Sequence, residues 1–156
     1  MSHNRTIFTM LTIAFVILIF SIPSFATEVA VVNVARVIDS SAPGKAGQRY
    51  IDDLEKRLNA ELEQYMKTVA NDKDAEAKIT QKRVELNVQF KNEYLRVTNL
   101  ISSELKKVIT QWIKTNKKGI TVVLPAHEAL GYAGSANISR DIQLRFDSVK
   151  INFTPR

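Results

Sequence analysis

The sequence predicts an α+β chain, mainly α, in which a long antiparallel helical hairpin is inserted between short β-strands. Three observations carry that expectation. Apolar residues recur at helical spacing over two stretches much longer than an ordinary globular helix. A polar segment, "NDKDAEAK" at residues 71–78, separates the two and has no large apolar residue. β-Branched runs, "VAVVNV" at 29–34 and "ITVVL" at 120–124, stand outside them at either end.

With 156 residues the chain has the length of one domain, at roughly 100–200 residues each. Its first 26 residues are expected to lie outside that domain. Arg5 supplies a positive start, residues 7–22 are apolar apart from Thr9, Thr12 and Ser21, and Pro23 ends the run. "SFA" at 24–26 sets small residues at the two positions a signal peptidase reads, which predicts cleavage between Ala26 and Thr27. The run is shorter than the ~20 residues a membrane span needs, so an uncleaved anchor is the weaker reading. Removing 26 of 156 residues leaves an exported chain of 130.

There is no cysteine, so neither a disulfide nor a lipid on an N-terminal cysteine is available; stability has to come from packing or oligomerisation. Without Arg5 the chain has 21 basic and 16 acidic residues, net +5. That excess favours acidic partners without choosing among an anionic membrane surface, nucleic acid and negatively charged unfolded chains.

The elements follow in order. Residues 29–34 read as a buried strand, and "SSAPGKAG" at 40–47 then breaks the chain, with Pro43 and Gly44 turning it into the first long helix. In that helix Ile51, Leu54, Leu58, Leu62, Tyr65 and Val69 lie three or four residues apart. Beyond the polar segment Ile79, Leu86, Phe90, Tyr94, Val97, Ile101, Leu105, Val108 and Trp112 make a second stripe, with Arg83 its one charged position. Ile79, Phe90, Ile101 and Trp112 recur every 11 residues, as do Leu86, Val97 and Val108. That beat, about 3.67 residues per turn, predicts helices that run nearly straight or coil gently to the right. Matched stripes around a short polar segment predict a hairpin arm at 44–118 with its tip near 71–78. The second helix, about residues 75–117, would be on the order of 60 Å long.

Toward the base Leu95, Leu100, Ile109 and Ile113 add apolar surface beyond what the pairing uses, to be covered by the strands or by other copies of the chain. Gly119 is expected as the C-terminal glycine of the second helix, behind Lys114, Lys117 and Lys118. Residues 120–124 make the second strand. "NISRDIQLRF" at 137–146 reads as a short helix capped by Asn137 or Ser139, and "VKINF" at 149–153 alternates like a third strand. Residues 27–43 and 119–156 thus compose a β-containing body.

Little in the chain suggests catalysis. "HEALG" at 127–131 begins like a zinc-protease motif but lacks the second histidine, so His127 reads as an exposed loop residue. "DKDAEA" at 72–77 starts like a calcium loop but has Ala77 where glycine is needed and Arg83 where the closing glutamate belongs. No glycine pattern suits a phosphate and no nucleophile has a base nearby, so nothing argues for an enzyme, a cofactor or a metal. Between Gln64 and Arg96 seven basic residues face five acidic ones, net +2. A nucleic-acid surface wants denser Lys and Arg with stacking aromatics, and no nucleic-acid partner is expected.

At this point the chain resembles the Skp, or OmpH-like, family of periplasmic chaperones. "VVNVARVIDSSAPGKAGQRYIDDLEKRLNAELEQ" is similar to the family's opening strand, its "sxxGK" turn and the start of its first arm helix. "ITVVL", "ALGYAG" and "NISRDIQLRF" resemble its "lVvd", "vlYa" and "DiTdeVikxL" patterns, with Asn137, Ile138 and Ser139 in place of the "DiT" triplet and Ile142 and Phe146 at the apolar positions after it. The arm is less basic than the family's usual tentacles. The resemblance implies a periplasmic homotrimer, three hairpins around a cavity, that holds unfolded outer-membrane β-barrel proteins without ATP. It places client contact on the arm, at Lys67, Lys73, Lys78, Lys82, Arg83, Lys91 and Arg96 with Tyr65 and Met66. It places the trimer body at Val29, Val31, Val32, Ile101, Leu105, Val108, Trp112, Ile120, Val122, Val123, Tyr132, Ile138 and Ile142. An anionic membrane or lipopolysaccharide surface is a further partner the charge allows. The alternative is a structural coiled-coil adaptor that binds a folded envelope partner.

Overall fold

The computed structural model describes residues 28–155; the expected signal segment and its cleavage point lie outside the described residues. In chain order the elements are β1 (Glu28–Val32), α1 (Val34–Ser40), α2 (Ala42–Val69), α3 (Ala75–Thr115), β2 (Ile120–Pro125), a 3₁₀ turn (Gly134–Ala136) and α4 (Ser139–Phe146). The chain is α+β and mainly helical, with two short parallel strands.

Asn33 stops β1 two residues before the apolar run suggests. Its side-chain oxygen accepts the Arg36 N–H at 2.9 Å and caps α1, so Val34 joins a helix that buries Val37. The break expected at 40–47 shrinks to Ser41. This buried serine donates to the Ile38 carbonyl at 2.8 Å, ending α1, and accepts the Gly44 N–H at 3.1 Å, starting α2. Pro43 falls in the first turn of α2, where no N–H is missed. Gly44 therefore lies within the helix and not in a turn. Its lack of a side chain answers a steric demand: a Cβ there would stand 2.7 Å from the Ile38 carbonyl carbon.

Val29 pairs with Val122 and Val31 with Leu124. The two-residue alternation of a strand puts Ala30, Val32 and Val123 against the helices. It leaves Val29, Val122 and Leu124 on the outer face, 46%, 38% and 41% exposed. Among the described residues β2 has no strand along its second edge.

Three elements correct the sequence reading. α3 ends at Thr115 because Asn116 takes over: its Nδ2 donates to the carbonyls of Ile113 and Ile120 at 2.7 and 2.8 Å, and its Oδ1 accepts the N–H groups of Lys118 and Ile120 at 3.1 and 3.0 Å. Gly119, at φ +74°, belongs to the turn into β2 and is not the helix's terminal glycine. α4 starts at Ser139 with Ile138 in the cap position, so neither Asn137 nor Ser139 is its N-cap. Asn137 Oδ1 instead accepts the N–H and hydroxyl of Ser139, whose Oγ accepts the Asn33 N–H at 2.8 Å, tying α4 to the end of β1. Residues 149–153 are not a strand. Val149, Ile151 and Phe153 do alternate toward the core, but among the described residues no strand lies beside them.

α2 and α3, about 42 and 61 Å long, lie along one another. As α2 numbers rise, their α3 partners fall. Gly47 faces Val97 and Ile101, Tyr50 meets Glu93, Leu58 packs near Leu86, and Glu61 reaches Lys82. The main core joins the strands, α1, α4 and the near ends of both long helices, with Trp112, Leu105, Ile142 and Phe146 almost fully enclosed. Farther out a separate small cluster holds Leu54, Leu58 and Leu86, and Phe90 packs against both clusters. Of the extra apolar set, Leu100, Ile109 and Ile113 are half-buried against the core, while Leu95 is 49% exposed.

Candidate functional site

The residues assigned to client contact run from the end of α2 through the turn to the middle of α3, and they divide by what holds them. Lys78, in the first turn of α3, lies 2.8 Å from Asp72 and 3.0 Å from Asp74. Those bonds raise its pKa, and the Lys78 bond holds Asp74 below the usual carboxylate range. Lys82 is 2.8 Å from Glu61 across the helix pair and 3.2 Å from Glu85, with its nitrogen 5.9 Å from the centre of the Tyr65 ring. Its pKa too is raised, mostly by Glu61. Lys78 thus ties the turn to the start of α3, and Lys82 bridges the two helices.

Lys67, Lys73, Arg83 and Lys91 are exposed, and among the described residues no ion pair involves them. Met66 is 40% exposed and Tyr65 half-buried. Arg83 borders a shallow groove of about 230 Å³ floored by Leu58, Leu62, Leu86 and Phe90. The groove sets one cation, Arg83, beside apolar surface.

Arg96 belongs elsewhere. Its guanidinium grips Glu93 through two bonds of 2.8 and 2.6 Å and also donates to the carbonyl of Phe153, while the Tyr50 hydroxyl donates to the same Glu93 at 2.6 Å. Arg96 thus locks α2, α3 and the C-terminal segment at one level. The Arg96 bond keeps the Glu93 carboxyl below its ordinary pKa, against the effect of burial. Burial, followed by the Glu93 charge and bond, pushes the Tyr50 phenol up.

The assigned body residues also divide. Val31, Val32, Ile101, Leu105, Trp112, Ile120, Ile138 and Ile142 are buried within the single chain, and Val108 and Val123 are half-buried against them. Val29, Val122 and Tyr132 remain open to solvent, with Leu124 and the fully exposed Leu130. His127 is exposed, its nearest acid the adjacent Glu128 at 3.9 Å. No helix among the described residues is long and apolar enough to cross a membrane.

The polar residues that sequence reasoning missed are Tyr50, Glu93, Asn116 and Asp147, whose Oδ1 accepts the Ala42 N–H at the start of α2 at 2.7 Å. No motif marks them. Gly44 and Gly47 did carry a signal, two side-chain-free positions one turn apart on a helix face that must approach its neighbours closely. Comparison with protein-family models, with curated proteins and with solved structures finds no match.

Proposed function

We propose that the chain is an ATP-independent holdase of the Skp type, acting in the periplasm as a homotrimer on unfolded outer-membrane β-barrel proteins. The observation that carries the reading is the thinning of the core along the helix pair. Beyond the main core only the small cluster of Leu54, Leu58 and Leu86, with Leu62 and Phe90 against it, joins two charged helices whose lengths far exceed what the small α/β end needs. In this reading α2 and α3 form a hairpin arm. Such an arm has little to bury against itself and much surface to offer a chain that lacks structure of its own.

The open outer face of the sheet, with Val29, Val122 and Leu124, and the unpaired edge of β2 supply the surface through which copies would join. Capture falls to Lys67, Lys73, Arg83 and Lys91 with Met66 and the groove beside Arg83, because Lys78 and Lys82 are spent on the arm itself. Many weak, exposed contacts of that kind retain a client without a nucleotide.

Light scattering on a sizing column tests the reading, with the protein alone and after dilution of a urea-unfolded outer-membrane β-barrel protein into it. A three-chain mass that becomes a soluble complex of three chains and client supports it. A monomer or dimer that leaves the client to aggregate refutes it. The adaptor reading gains from the engagement of Lys78 and Lys82, which leaves fewer cations for electrostatic capture; it requires binding to a folded envelope protein and indifference to unfolded ones.

A further inference from the structure

We propose that the C-terminal segment, residues 148–155, is a strap that fixes the base of the long helix pair and sets how stiffly that pair stands on the rest of the molecule. The strap crosses where the main core gives way to the separate Leu54, Leu58 and Leu86 cluster, the level at which packing alone is thinnest. Four observations converge there.

Phe153 is 7% exposed, although it belongs to no helix or strand. Its ring fits the space left by Gly47, where an added Cβ would touch both Phe153 and Ile101, and it lies 5.9 Å from the Tyr50 ring. The Phe153 carbonyl accepts from Arg96, and the same guanidinium is oriented by two bonds to Glu93, which also receives Tyr50. One backbone oxygen is thereby joined to side chains from both long helices. Pro155 continues outward to border a groove shared with Tyr50, Leu54, Arg57 and Glu93. At its root the strap follows Asp147, which holds the first N–H of α2, so both ends of the segment grip the helix pair.

A terminal segment that only filled a gap would need no charged clamp on its backbone. Here the half-buried Arg96 and Glu93 pair is oriented by partners on three segments, and removing one partner loosens the hold on the others. The strap is separate from the holdase reading and holds or fails whatever the chain binds.

Amide hydrogen exchange on the full chain tests it, comparing the parent with Phe153→Ala and with Arg96→Gln, which keeps the ring but cuts the clamp. Arg96→Gln, which loses charged hydrogen bonds, and Phe153→Ala, which loses a buried ring, should each speed exchange in residues 50–62 and 86–97 on the order of tenfold or more, while α4 keeps its protection. Unchanged exchange in those helical segments in both variants overturns the proposal. So does an equal loss across α4 and the helix pair, which would make Phe153 an ordinary core residue. If Phe153→Ala fails to fold, Arg96→Gln decides alone by the same readout.

Discussion

Replacing Gly44 by alanine sets two physical effects against each other. Intrinsic propensity favours the substitution: glycine inside a helix costs about 1 kcal/mol relative to alanine, and Gly44 lies in the first turn of α2. Packing opposes it. The new methyl would stand 2.7 Å from the Ile38 carbonyl carbon and 3.1 Å from Ser41 Oγ, and a backbone carbonyl cannot rotate away as a side chain can. Opening the joint between α1 and α2 by enough to admit it costs about 1–3 kcal/mol for overpacking. It also strains the Ser41 cap, worth about 1 kcal/mol. Packing wins, and the expected net loss is roughly 2 kcal/mol, a fall in melting temperature of about 4–8 °C for a chain of this size. Urea unfolding followed by circular dichroism at one fixed protein concentration measures it. Gly131→Ala and Gly134→Ala are the controls, since nothing lies within 4 Å of a Cβ at either place. Gly47→Ala should fall between, because its closest neighbour, Ile101 Cδ1 at 2.5 Å, is the free end of a side chain. A Gly44→Ala protein as stable as the parent, or more so, refutes the close-packing account and leaves propensity as the whole story.

Four further outcomes follow from the polar networks. Glu93, held below its ordinary value of 4.5, contributes stability that is present above that pH and is lost as pH falls through its depressed pKa; Glu93→Gln should flatten the acid limb of the stability curve, and an unchanged limb would contradict the clamp. Tyr50, raised above 10.0, contributes stability that is lost as pH climbs through its folded pKa, so Tyr50→Phe should remove the corresponding alkaline loss in the same titration. Asn116→Asp replaces the amide that serves the Ile113 and Ile120 carbonyls with an acceptor and should cost about 1–3 kcal/mol in thermal unfolding, whereas Lys78→Ala should speed amide exchange only in residues 69–82 and leave the global midpoint where it was.

The fold class was legible because it rests on period. Ile51, Leu54 and Leu58 on α2, and Leu86, Val97, Ile101, Leu105 and Trp112 on α3, are the buried positions the spacing selects. Tyr94 is the exception at 48% exposed, since an aromatic at the margin of the stripe can turn its ring outward. Period fails at the joints. Nothing local tells that Asn33 caps a helix instead of continuing a strand, or that Asn116 and not Gly119 closes α3, because an asparagine's hydrogen bonds are chosen by backbone that folding brings to it. Residues 149–153 mislead for a related reason: inward alternation is a property of any extended segment lying on a core, and strand status needs a neighbour. Among the basic residues, charge was legible but engagement was not. Lys82 meets Glu61 across 21 positions and Arg96 meets the Phe153 carbonyl across 57.

The parallel pairing of β1 with β2 also predicts an order of events in folding. The two strands are separated by residues 33–119, and joining them in an otherwise unstructured chain would mean closing a loop of that whole length. The helix pair removes most of that burden. Contacts spread from the turn at 71–74 outward through Glu61 and Lys82, then Tyr50 and Glu93, then Gly47 and Ile101, each new one closing far less chain than the whole loop. When this zipper reaches the base, the strand ends have already been carried together. β1, first in the chain among the described elements, is thus among the last to find its partner, an order that pulse-labelled hydrogen exchange reads directly.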